Sequence, residues 1–361
     1  MSNPASRSQL WFQRLSVFTL IFAFSVVTLG ALTRLKDAGL GCPDWPGCYG
    51  QLLVPSGPGA AEQAAASHPE RPLEVVKAWY EMIHRYLAGT LGLLILGLFL
   101  FRFALPAKTK KQVGSIPLLL LGLVIFQALL GAWTVTMGLF PTVVMGHLLG
   151  GFTTFTLLAL LVFKQKLPAL KMLQFMPKHL KKMLFIGTLV TITQVALGGW
   201  TAANYAAAVC TELPICNAGW QEHINLKSAF QLWGHNTADY EFAPHLGTDT
   251  KITIHVTHRI GAAITTLVLS ILIFSLWKTQ NILLKKMALL IAGLLSIQML
   301  LGISNVVFNV PLTIAVLHNL VGCLLFATLV NLSLFSRTET QPSKKVAPPQ
   351  PKPMLQPLNA Q

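Results

Sequence analysis

Four histidines of this chain sit where histidine is expensive. His84, His147, His258 and His318 each fall inside a long apolar stretch. Ionisable side chains in such segments are rare, face a protein interior and carry a task. They also come in pairs. His84-Arg85 is matched by His258-Arg259, and Gln127, Gly131, His147 and Gly151 return 171 residues later as Gln298, Gly302, His318 and Gly322. Two neutral imidazoles facing each other across a helix bundle suit the two axial positions of a haem iron. Zinc fits less well, because its sites usually add thiolate or carboxylate to reach four ligands. Gly151 and Gly322 follow their histidines by four residues, on the same helix face. A missing side chain there either makes room for the edge of a macrocycle or lets two helices pack closely.

The neighbours of these histidines differ between the copies. His255 lies three residues before His258 and shares its face, so either is a possible ligand; the Arg259 that matches Arg85 favours His258. The counterpart of His255 by register is Glu81. A carboxylate one turn from a ligand histidine is placed to stabilise positive charge or to move a proton. A glutamate held at a helix N-terminus by the dipole is the plainer account. The asymmetry predicts one site that does chemistry and one that passes electrons. Arg85 and Arg259 are expected to neutralise haem propionates or to snorkel to lipid headgroups. His68, His179, His223, His235 and His245 fall in connecting segments and read as surface.

Cysteines repeat as well. Gly30-Ala31-Leu32-Thr33 leads to Cys42 and Cys48, and Gly198-Gly199-Trp200-Thr201 leads, 168 residues on, to Cys210 and Cys216. Two disulfides, Cys42–Cys48 and Cys210–Cys216, are expected on the oxidising side of the membrane, each worth about 2–3 kcal/mol by chain entropy. Thiol–disulfide exchange near a haem is the sharper alternative. Cys323 lies in an apolar stretch and reads as core.

The elements that must position these groups are membrane spans. Of 361 residues, 53% are hydrophobic and 11% charged, against about 25% charged in soluble domains. Stretches long enough to span the bilayer lie near 11–32, 77–104, 114–135, 141–164, 181–203, 250–277, 283–304 and 311–335. Four per repeat means that both copies insert in the same orientation. The expected fold is an all-α membrane protein of eight transmembrane helices, built as two tandemly duplicated four-helix bundles. Residues 1–176 form one half, 177–336 the other, and 337–361 a disordered Pro-rich tail. The net charge of +15 does not indicate nucleic acid, because it is spread over short connections between spans. Most Lys and Arg fall on one side, with Lys164, Lys166, Lys171, Lys178, Lys181 and Lys182 in one connection, so both termini are expected in the cytoplasm. No cleavable leader is expected, since the first apolar stretch is long enough to span. The long outer connections, 33–76 and 204–249, carry Trp45, Tyr49, Trp220, Phe230, Trp233 and Tyr240 and are expected to rest at the interface. Trp220 to Trp233 reads as an amphipathic lid or a plain interfacial helix.

Thr33-Arg34, the run Gly39-Leu40-Gly41-Cys42-Pro43-Asp44-Trp45-Pro46-Gly47-Cys48-Tyr49-Gly50-Gln51, and Glu81-Met82-Ile83-His84-Arg85 together resemble the haem A synthase family. The resemblance covers nearly all of the chain except the tail. It implies a multi-pass protein of the bacterial plasma membrane that oxidises the C8 methyl group of haem O to a formyl group, giving haem A for cytochrome oxidase. It implies a substrate-haem site at Glu81, His84 and His147, and a haem B cofactor on His258 and His318. Cys42 and Cys48 match the family's first-loop pair; His255 maps to no family role. Implied partners are haem O, a haem O synthase, an electron acceptor and membrane lipid, with no nucleic acid and a possible homo-oligomer. The alternatives are a diheme b-type electron carrier that leaves its haems unmodified, and a haem transport or delivery protein.

Overall fold

The structure, a computed structural model, describes residues 4–233 and 246–337. Eight long helices organise it: α1 (Pro4–Leu35), α2 (Val75–Phe101), α3 (Ile116–Thr136), α4 (Pro141–Lys166), α5 (Lys178–Ala203), α6 (Thr248–Trp277), α7 (Ile282–Val307) and α8 (Leu312–Arg337). All eight are long and apolar enough to cross a membrane. Each overlaps one of the expected stretches, and most run past it, because helix hydrogen bonding continues beyond the apolar residues. Arg337 closes α8, so the last helix reaches one residue into the expected tail. The rest of that tail lies outside the described residues, as do His235, Tyr240 and His245.

Four helices end in the same way. At the ends of α1, α3, α5 and α7 the chain enters the left-handed region at Asp37, Gly138, Tyr205 and Asn309. The next amide then reaches back five residues: Ala38 N donates to Thr33 O, Leu139 N to Thr134 O, Ala206 N to Thr201 O and Val310 N to Asn305 O, at 2.6–3.0 Å. This closure satisfies carbonyls that a helix end otherwise leaves without partners. It recurs once per helix pair, so the pattern repeats four times, twice as often as the cysteines do.

Packing follows from the apolar faces. Helix α1 lies on α2 and α4, and α3 lies on α2 and α4, which closes a ring of four; α5, α6, α7 and α8 close a second ring in the same order. The rings meet where α4 lies on α5 and α8, and α1 on α8. One apolar core runs through the contact, including Phe12, Leu98, Leu158, Leu161, Leu184, Leu269 and Leu329. Leu93, Ile125, Leu267 and Leu300 face outward, as lipid-facing aliphatics do.

Polar links cross the seam. Asn331 Nδ2 donates to Thr156 O at 3.3 Å, and Thr188 Oγ1 to Leu329 O at 3.3 Å. Where α1 and α5 end, Arg34 Nη2 donates to Ala202 O at 2.5 Å, with its guanidinium 3.9 Å from the centre of the Tyr205 ring. Burial pushes the Tyr205 phenol up to about 12, so the ring stays neutral beneath the cation. Arg34→Met is expected to lower stability by about 1–3 kcal/mol, read as a lower midpoint in detergent thermal unfolding with both disulfides intact.

Candidate functional site

Helices α2, α4, α6 and α8 each carry one of the four paired histidines, and each of those histidines packs against a glycine of the preceding long helix. A Cβ placed on Gly30 of α1 would lie 3.0 Å from His84 Cε1, and one on Gly198 of α5 3.1 Å from His258 Cε1. For Gly302 of α7 and His318 the distance is 3.2 Å, and for Gly131 of α3 and His147 it is 3.5 Å. The glycines stand there because the rings occupy the space a side chain would need. Gly198→Val is therefore expected to displace the His258 ring and to weaken any metal binding there. The check is a partial loss of low-spin haem absorption, the His84–His147 pair being untouched, from a protein that still purifies with both disulfides.

Within the first ring the imidazoles meet. His84 and His147 lie with centroids 6.5 Å apart and planes at 86°. A metal bonded to the near nitrogen of each ring at about 2 Å would set ring centres about 6 Å apart, so the separation suits one iron between them. The Nδ1 atoms of His84, His147 and His318 are buried without a completed hydrogen bond. Each of these rings lies against a backbone carbonyl, of Val26, Gln127 and Gln298 respectively. A carbonyl behind the second ring nitrogen is the usual setting of a metal-bound histidine. Nothing lies within 4 Å of a Cβ on Gly151, whereas one on Gly322 would meet the Gln298 side chain at 3.4 Å. The room expected beside the histidine is thus present at Gly151 and taken by Gln298 at Gly322. In the second ring, His258 and His318 stand within electrostatic range of each other.

The paired histidines lie at two depths. His84 and His258 lie well into their helices, because α2 and α6 begin at Val75 and Thr248. At 1.5 Å per residue they sit about 13–15 Å in, while His147 and His318 sit about 9 Å in. The extra turns belong to the helix starts that carry Glu81 and His255.

Those ends anchor the disulfide loops. Both expected bridges form, Cys42–Cys48 and Cys210–Cys216, and Cys323 is a buried free thiol. Neither arginine that follows a histidine is free for a propionate. Arg85 Nη1 donates to the carbonyls of Asp44, Pro46 and Gly47 at 2.9, 3.2 and 2.5 Å. Arg259 donates to those of Cys210, Glu212 and Ile215 at 2.6–2.7 Å. The loops expose carbonyls because their short bridged turns cannot pair them internally, and a guanidinium supplies donors in a fork. Glu81 and His255 play the same part toward these arginines. Glu81 Oε1 accepts from Arg85 Nη2 at 2.5 Å, and Oε2 accepts from Cys42 N at 2.9 Å. His255 Nε2 accepts from Arg259 Nε at 3.1 Å. The carboxylate is 4% exposed and ties His84's helix directly to the first disulfide. That gives His255 a role the sequence did not offer, as the neutral stand-in for Glu81.

Trp220 to Trp233 is not one amphipathic helix. A 3-10 turn, Trp220–His223, and a single helical turn, Leu226–Ala229, are separated at Asn225, whose side chain accepts from Ser228 N. Trp200 Nε1 donates to Ala229 O at 2.8 Å, pinning the segment to α5. Its far end reaches the first ring, where Leu232 O accepts from Thr142 Oγ1 at 3.0 Å and Trp233 stacks near Phe140.

Sequence reading missed the facing role of Gly30, Gly131, Gly198 and Gly302, and missed Gln194 altogether. Gln194 lies 3.0 Å from both Nδ1 and the backbone oxygen of His258. The available signal was Gln-x3-Gly, which occurs at Gln127, Gln194 and Gln298.

Fold and site together define a class: an all-α, multi-pass membrane protein with buried histidines on facing helices beneath disulfide-closed caps. The family model described as cytochrome oxidase assembly protein (COX15-CtaA) matches residues 13–330. A heme A synthase of Shewanella oneidensis is 43% identical over 317 residues, covering 88% of this chain and 94% of its own length. Heme A synthases of Shouchella clausii and Bacillus licheniformis are 24% and 28% identical, covering 88% and 62% of this chain and 94% and 69% of theirs. The chain belongs to the COX15-CtaA family of cytochrome oxidase assembly proteins.

Proposed function

We propose that this chain is an oxidoreductase that makes haem A, oxidising the C8 methyl group of haem O to a formyl group. The observation that carries the reading is the His84–His147 pair, spaced for one iron and set beside the open face of Gly151. The family and the 43% identical heme A synthase support it. The ring of α1 to α4 (residues 1–176) takes the substrate haem on His84 and His147, and the ring of α5 to α8 (residues 177–336) holds haem B on His258 and His318. When bound, haem B supplies one-electron redox chemistry.

Turning a methyl group into an aldehyde with water as the oxygen source releases four electrons and four protons, so an electron acceptor is a required partner. The chain's own residues hold the macrocycle through its iron, which fixes the reacting edge in register. They also keep one buried carboxyl group, Glu81, a turn away from His84, where it receives a proton or steadies positive charge. A site between helices lets the isoprenoid tail of haem O stay in lipid. The crowding of Lys164 to Lys182 between α4 and α5 supports cytoplasmic termini and outward-facing cysteine loops.

The test is expression with a haem O synthase, followed by haem extraction and mass identification. Haem A is the expected product. Folded protein yielding only haems B and O would sink the proposal and leave a diheme electron carrier. The engagement of both Glu81 oxygens in structural bonds is the observation on that reading's side.

A further inference from the structure

The end of the bundle opposite the disulfide loops carries positive charge that no acidic side chain balances. Among the described residues, no Asp or Glu stands between Glu81 and Glu212, or after Asp249. The helix ends and connections on that side fall within these stretches, and they hold Lys108, Lys110, Lys171, Lys178, Lys278 and Lys285. Like charges gathered without a counter-ion call for an anion from outside the chain, and a bilayer offers one in its lipid phosphates.

One place on that side is shaped to keep such a lipid. Helices α6 and α7 leave a groove of about 380 Å³ on the outside of the bundle. Small residues open it, Ser270 on α6 and Ala292 and Ser296 on α7. Phe274 and Trp277, both exposed, wall the part nearer the α6–α7 connection. Two lysines stand over those walls. Lys278 Nζ lies 4.5 Å from the centre of the Phe274 ring, and Lys285 Nζ 5.7 Å from the Trp277 ring. The charged mouth and the apolar channel are therefore one feature. Ser296 is about 20 Å along α7 from Ile282 at 1.5 Å per residue, so the channel runs the depth of one leaflet in hydrocarbon about 30 Å thick. Beside the same connection, Met172 and Phe175 stand exposed around a second groove of about 190 Å³. Apolar surface thus continues past the helix ends to the level of the lysines.

We propose that the α6–α7 hairpin binds one anionic phospholipid as a specific ligand. Its phosphate sits between Lys278 and Lys285, and one acyl chain lies in the groove between the two helices. Basic pockets between spans hold anionic head groups in this way. The other occupants fit less well. A free phosphate leaves the apolar channel unfilled, a zwitterionic lipid brings its own cation against the lysines, and a second copy of the chain brings a second set of unbalanced lysines. The site lies apart from the buried histidines, and its occupation does not depend on the proposed function.

The experiment uses the full chain as purified in a mild detergent. Native mass spectrometry counts bound lipid during titration with phosphatidylglycerol or with phosphatidylcholine of the same acyl chains. The wild type should hold one phosphatidylglycerol with at least about tenfold preference over phosphatidylcholine. Lys278→Gln combined with Lys285→Gln should weaken that binding about thirtyfold, two charges at about fivefold each. Ser296→Phe fills the channel and should weaken it about fifteenfold, two displaced methylenes at about fourfold each. Lys108→Gln combined with Lys110→Gln removes the same charge at the α2–α3 connection and should leave binding unchanged. The proposal fails if that control pair matters as much as Lys278 and Lys285, which is general surface attraction, or if Ser296→Phe binds as the wild type does. It fails if inorganic phosphate displaces the lipid, or if Ser296→Phe changes the oligomeric mass in place of the lipid count. Should a variant not accumulate, the wild type alone decides, since equal binding of the two lipids overturns the proposal.

Discussion

His84→Ala, expressed with a source of haem O, is expected to lose its substrate haem and all detectable conversion while retaining haem B. His258→Ala should give the reverse pattern of bound haem, with conversion lost because electrons have no route out. The split follows from the two separate helix rings and from the 6.5 Å spacing that one iron can bridge between His84 and His147. Removing one imidazole leaves the opposite one as the sole ligand in that helix ring, too weak a hold to keep the haem through purification. The loss of conversion should exceed about a hundredfold in each case, for His84→Ala because the reacting edge is no longer held in register and for His258→Ala because electrons have no route out. Haem extraction with mass identification and the reduced-minus-oxidised spectrum read the result. Equal loss of both haems from either variant would show that the sites do not fill independently and would remove the division of labour proposed for them.

Glu81→Gln should lower conversion by about 10²–10⁴-fold with both haems still bound. This variant separates chemistry from architecture. The glutamine oxygen can still accept from Cys42 N, and Arg85 keeps its three loop carbonyls, so the cap stays in place. What disappears is the titratable carboxyl group one turn from His84. Glu81→Ala should also loosen the first loop, because it leaves the buried Cys42 amide without an acceptor; faster reduction of Cys42–Cys48 by a phosphine would report this. In the second ring His255 already does the anchoring work without charge. His255→Gln is accordingly expected to leave conversion within a few-fold of wild type. A Glu81→Gln protein that converts haem O at the wild-type rate would reduce Glu81 to a structural latch.

Much of this was legible in the sequence for simple reasons. A span must be about 20 apolar residues long, so the eight helices follow from hydropathy with errors confined to their polar ends. Histidines within those spans are costly, which made His84, His147, His258 and His318 stand out. The cysteine pairs, six residues apart, are too close in sequence to have a simpler partner than each other. The repeat offsets tied these signals together.

Other features were decided only by tertiary structure. Arg85 and Arg259 look in sequence like propionate ligands or headgroup anchors, but folding brings the bridged loops back over their own helices and uses both guanidinia there. The depth of His84 and His258 depended on where α2 and α6 begin, which composition does not mark when a helix continues outside the bilayer. Trp220 to Trp233 broke into two turns because Trp200 and Asn225 hold it to the bundle rather than letting it lie flat.

Alone, the amino-acid order determined that this chain makes eight spans, carries a doubled set of buried imidazoles and closes two disulfide loops. Period and polarity are local properties, and each residue states them without help. Which glycine faces which ring, and which buried histidine has a glutamine amide behind it, arose only when helices far apart in sequence packed side by side. Such contacts depend on helix rotation and crossing, and those are set by the whole apolar surface together rather than by any one segment.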